Sequence, residues 1–108
     1  MIEIKGTLPV ALKKLDGQTE IKSKQIVMRQ MTAIEYIDSQ ANVGEGQYLA
    51  IADLAFMTKL IDQDGHEHDI SYDMLGHSSR SNLDYLKKLR LELDAKERAE
   101  NSETEQES

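Results

Sequence analysis

Up to Arg29 the apolar and polar positions run in the manner of strands rather than at helical spacing. Thr7 to Lys14 and Thr19 to Arg29 are the two candidate strands. Between them, Leu15-Asp16-Gly17-Gln18 contains Asp-Gly, a strong hairpin signal because glycine takes the positive φ that a tight reversal requires. In the second strand Ile21, Ser23, Gln25 and Val27 point one way, and Lys22, Lys24, Ile26 and Met28 the other. This alternation is imperfect, and a bulge near Gln25 would bring Ile21 and Ile26 to one face. Pro9 cannot donate to a ladder, so it marks an edge position or a bend.

From Thr32 the period becomes helical. Thr32-Ala-Ile-Glu35 fits a capping box, and Ile34, Ile37 and Ala41 follow at helical spacing. Asn42-Val-Gly-Glu-Gly46 ends that helix, and a second is expected from about Glu45 to Asp62. Its apolar residues, among them Tyr48, Leu49, Leu54, Phe56 and Leu60, cover more than one stripe, so it is expected at the centre of the structure. Gln63 to Asp69 reads as a polar reversal. Ser71 can cap a single turn that stops at Gly76, and a last helix begins between Ser78 and Ser81, where Ser81-Asn-Leu-Asp84 offers a second capping box. Leu83, Leu86, Leu89 and Leu93 form a stripe that needs an apolar surface to lie on.

The expected fold is therefore α+β. A hairpin over about 5–30 precedes three main helices over about 32–41, 45–62 and 78–98, in one domain spanning 1–98. Residues 99–108 are acidic, contain no large apolar side chain and are expected to be disordered, since burial cannot repay their ordering.

Charge narrows the range of partners. The 108 residues carry a formal charge of −7, with acids spread along the chain, which is the wrong sign for binding phosphates. Lys87-Lys88-x-Arg90 lies beside Glu92 and Asp94 and reads as a solvated helix face. Neither nucleic acid nor an anionic membrane is expected as a partner. The chain has one Phe and no Trp, a composition lean in large anchors that leaves room for a protein partner or self-association. With no cysteine it has neither disulfide nor thiolate chemistry, and with neither a signal-peptide pattern at Met1-Ile-Glu-Ile-Lys-Gly nor a spanning apolar run, the cytoplasm is the expected location.

Candidate chemistry is sparse. His66-x-His68 with Asp62, Asp64 and Asp69 has metal-ligand residue types. However, Asp62-x-Asp64-Gly65 places its glycine too early for a calcium loop and has Asp73 at the twelfth position, so a polar turn is expected. His77 before Ser78 and Ser79 lacks a nucleophile elbow, and helix-start serines serve as caps. No catalytic, metal or cofactor residue is assigned, and no enzyme is expected.

Several stretches in order resemble the small tail assembly chaperones of Mu-like phages and prophages. These are Ile2 to Leu12, Asp16-Gly17, Ile26-Val-Met-Arg-Gln-Met-Thr32 opening a helix, Tyr48-Leu-Ala-Ile-Ala-Asp-Leu-Ala-Phe56, and Ser78-Ser-Arg-Ser-Asn-Leu-Asp-Tyr-Leu86. The likeness covers roughly residues 2 to 98 and lies in the order and texture of elements. One departure is that Arg29 leads to Gln30-Met31, where the family often has a proline close behind the arginine. The resemblance implies a non-structural, non-catalytic protein encoded between tail tube and tape measure, sometimes also made in a longer frameshifted form. It would act in the bacterial host cytoplasm, keeping the tape measure protein soluble until tube subunits, a further possible partner, polymerise around it. On that expectation Tyr48, Leu49, Phe56, Leu83, Leu86, Leu89 and Leu93 are the candidate client-binding surface. An acidic adaptor of antitoxin or antirepressor type and a minor structural tail subunit are the alternatives.

Overall fold

The alternation in the first half of the chain produces two long antiparallel strands, β1 (Glu3–Asp16) and β2 (Thr19–Arg29), paired from Glu3↔Arg29 to Asp16↔Thr19. This computed structural model describes residues 2–41 and 43–107, with side chains except those of Asp16 and of 101 onward. Gly17 closes the hairpin at φ 66° while no described non-glycine residue is left-handed, the combination that a type II′ reversal uses. The register shifts between Thr7, opposite Gln25, and Leu12, opposite Ser23. The surplus residues of this irregularity lie on β1 around Pro9, which has no N–H for the ladder. Across from it, Ser23 Oγ accepts from Gln25 N at 3.0 Å, and Ile21 and Ile26 both reach the core.

The next two helices are short. Thr32 and Glu35 form the reciprocal capping box, Glu35 N to Thr32 Oγ1 at 3.1 Å and Thr32 N to Glu35 Oε1 at 3.0 Å, and open α1 (Ala33–Ala41). The second helix, α2 (Leu49–Met57), corrects the expectation of a helix over 45–62. It ends at Met57 because the chain turns into β3 (Thr58–Ile61), where Thr58 and Leu60 are buried and Lys59 and Ile61 alternate with them. A short apolar run does not reveal by periodicity whether it is helix or strand. Here the free edge of β2 decides, pairing Ile26, Val27 and Met28 with Leu60, Lys59 and Thr58. The polar reversal then leads into β4 (Glu67–Asp69), giving a four-stranded antiparallel sheet in the order β1-β2-β3-β4.

Ser71 Oγ accepts from Met74 N at 3.1 Å and caps the one-turn α3 (Tyr72–Gly76). The last helix, α4, spans Arg80–Glu107. It is capped by Ser79, whose Oγ accepts from Ser81 N, rather than by the expected box at Ser81. Leu86, Leu89 and Leu93 of α4 join Leu8, Leu12, Ile26, Met28, Leu54, Met57, Leu60, Ile70 and Leu75 in one core, with Leu83 packed at its margin. From Arg98 to Glu100 every side chain is exposed. The backbone stays helical to Glu107, past the expected helix end at about 98 and into the stretch expected to be disordered, while the side chains of 101 onward and all of Ser108 lie outside the described residues.

Two polar residues hold α4 against the irregular part of β1. The Asn82 amide is fully buried; its Oδ1 accepts from Val10 N at 3.0 Å and its Nδ2 donates to Val10 O at 2.9 Å. It therefore supplies the donor and acceptor that a neighbouring strand would offer. One turn on, Tyr85 Oη accepts from Thr7 N at 3.0 Å. Gly6 permits this approach, because a β-carbon there would lie 2.3 Å from that hydroxyl. The edge strand is thus covered by a helix rather than left open.

Candidate functional site

The α1–α2 unit has an unusual distribution of burial. The single buried residue of α1 is Ser39, whereas Ile34 is 72% and Ile37 62% exposed. Ser39 Oγ lies 2.7 Å from Tyr36 O and 3.0 Å from Asp53 Oδ1, and Arg90 Nη1 approaches Asp53 Oδ2 at 3.7 Å. A polar chain of contacts from α1 through α2 to α4 therefore holds the inward side of α1. Ile34, Ile37 and Ala41 share the other side at i, i+3 and i+7, all exposed.

On α2, Leu54, Ala55 and Met57 enter the core while Tyr48, Leu49 and Phe56 remain exposed. Among the described residues, six of the nine exposed large apolar side chains belong to this unit: Ile34, Tyr36, Ile37, Tyr48, Leu49 and Phe56. Tyr48 N donates to Tyr72 Oη at 2.8 Å, so α3 fixes where α2 begins.

The anticipated surface divides accordingly. Tyr48, Leu49 and Phe56 lie at the surface. Phe56, at 43% exposed, is not the core anchor a central helix implied, because α2 turns only Asp53, Leu54, Ala55 and Met57 inward. Leu86, Leu89 and Leu93 are 0%, 4% and 0% exposed, so in this fold they are core and not a contact surface; Leu83 is partly buried beside them. The stripe found its apolar surface in the protein's own sheet. The sequence marks Ile34 and Ile37 as a helical stripe and does not mark them as surface. Their signal was the polar Ser39 on the same helix, but only its contact with Asp53 reveals its meaning.

Polar side chains elsewhere serve the architecture. Asp62 Oδ1 accepts from the backbone N–H of Asp64 and of His66, both at 2.9 Å, and Oδ2 takes His68 Nε2 at 2.8 Å. The His68 bond, then the two backbone donors, hold the Asp62 carboxyl down at about 2. Asp62, Asp64 and His66 stand close enough to share a cation, which would have to compete with those bonds. Arg29 forms a fork with Glu67 at 2.5 and 2.7 Å and reaches Glu3 at 3.2 Å, which lowers the Glu67 pKa and raises that of Arg29. Lys59 pairs with Asp69 and lowers its pKa. Lys87 and Lys88 are exposed, as a solvated face requires, while Arg90 turns to Asp53.

No family model, curated protein or solved structure matches this chain. Among the described residues no helix is long and apolar enough to cross a membrane.

Proposed function

We propose that this protein is a non-catalytic assembly chaperone of the Mu-like phage tail type, which holds the tape measure protein soluble in the host cytoplasm and leaves before the tail is complete. The observation that carries the reading is the α1–α2 surface. Ile34, Ile37, Tyr48, Leu49 and Phe56 are exposed on it, while Ser39 and Asp53 make a buried polar contact between the two helices. Isolated exposed apolar residues are ordinary, but a concentration of them on one small unit is characteristic of a contact surface. A holdase needs such a surface to compete for a client's exposed stripe, and the charge of −7 keeps the complex in solution. The ordered likeness of residues 2 to 98 to that chaperone family supplies the identity of the client.

Co-expression tests the reading. The tape measure protein from the same gene cluster is expected in the soluble fraction with this protein and in the pellet without it. Purified tails are expected to lack this chain. Equal solubility in both cases would exclude the chaperone role, and recovery of the chain in finished tails would make it a structural subunit.

A further inference from the structure

We propose that the β3–β4 turn is a site for one divalent transition-metal ion of the zinc class, held by Asp62, Asp64 and His66. The proposal is independent of the chaperone reading, since it concerns this turn and not the α1–α2 surface. One ligand atom from each of the three residues lies within 4.8 Å of the other two. The hairpin brings them together. Asp62 N donates to His66 O at 3.0 Å, which sets these residues opposite each other, and Gly65 at φ 85° lets the chain between them reverse.

Asp62 is the fixed member, its side chain only 16% exposed. A carboxylate offers about four acceptor positions, two on each oxygen. Oδ1 takes the backbone N–H of Asp64 and of His66, which fills it, while Oδ2 takes His68 Nε2. Competition with a cation is therefore confined to Oδ2, which keeps one lone pair. His66 Nδ1 lies 3.7 Å from that same oxygen, too far for a hydrogen bond. A tetrahedral ion with bonds of about 2.0–2.1 Å needs its donors roughly 3.3 Å apart. Asp64 and His66 are exposed, so small rotations of their side chains close the difference. His68 is then a positioning residue, which orients the Asp62 carboxylate through its hydrogen bond. Two carboxylates balance the charge of a divalent ion, and the imidazole nitrogen selects a transition metal over calcium or magnesium, which take oxygen. Asp62 and Asp64 also line a cavity of about 290 Å³ with Glu20 and Lys22 of β2, whose charges cancel, and this leaves room for water at the fourth position.

The test titrates zinc chloride by calorimetry into the full chain, first stripped of metal with EDTA. One ion per chain is expected, undisplaced by calcium or magnesium at about a hundredfold excess. His66→Asn and Asp64→Asn change exposed side chains, so each should leave the circular dichroism and Tm of the metal-free chain near those of the parent. Each is expected to weaken zinc binding at least about tenfold, and His68→Gln about 10- to 100-fold through its hold on Asp62. Zinc should raise the Tm of the parent and leave that of His66→Asn unchanged. In NMR spectra of the imidazole nitrogens, zinc should shift His66 and leave His77, which follows α3, where it was. Binding of less than one ion per chain, or unchanged affinity in His66→Asn or Asp64→Asn, would overturn the proposal. So would displacement of zinc by calcium, or a shift at His77 in place of His66, which would mark an adventitious ion only.

Discussion

Helices α1 and α4 both carry an apolar stripe at helical spacing and meet opposite fates. In α4, Leu86, Leu89 and Leu93 are almost wholly removed from solvent against β1 and β2. In α1, Ile34 and Ile37 face outward, and the side turned to the protein is held by Ser39 and Asp53. Periodicity shows that a helix has an apolar side. What covers that side depends on the rest of the chain, here on which helix packs along the sheet.

Substitutions should separate the two helices sharply. Leu86→Ala removes a fully buried side chain and is expected to cost about 2–5 kcal/mol by urea denaturation. A loss near zero would mean that α4 does not rest on the sheet. Asn82→Ala leaves the Val10 N–H and C=O without their partner, an expected cost on the order of 1–3 kcal/mol. The capping box that starts α1 is accessible to solvent, and Thr32→Ala should cost about 1 kcal/mol. Ile37→Ala lies at the other extreme, within about 0.5 kcal/mol of the parent, as an exposed position should. If it destabilised the chain as much as Leu86→Ala, the contrast drawn here would collapse.

A smaller contribution should be visible in pH titration of stability. The Asp62 carboxyl titrates at about 2 in the fold, below its ordinary value, so the folded state favours its ionised form. The stability it contributes is present above the ordinary carboxylate range and is lost as pH falls through about 2. Asp62→Asn should flatten that acid limb and leave client solubilisation at neutral pH unchanged. An unaltered acid limb would show that the β3–β4 turn does not depend on the charge.

Local chemistry was legible before the tertiary structure. The Asp16-Gly17 reversal, the Thr32/Glu35 box, the Ser71 cap and the edge position of Pro9 each depend on residues within a few positions of one another, or on what a proline cannot donate. So does the α+β class, since the change from strand-like to helical spacing at Thr32 lies in the sequence itself. Other features depended on distant partners. Thr58 to Ile61 became a strand because β2 presented an unpaired edge, and Asn82 became a strand substitute because β1 carries surplus residues opposite Lys24. Phe56 lies at the surface, whereas the leucines of α4 lie in the core because α4 packs along β1 and β2. The sequence by itself determined where the chain turns, where its helices are capped and that its apolar stripes exist. Only the tertiary structure decided which stripe was buried, because burial depends on which surfaces meet in space, and local spacing carries no information about that.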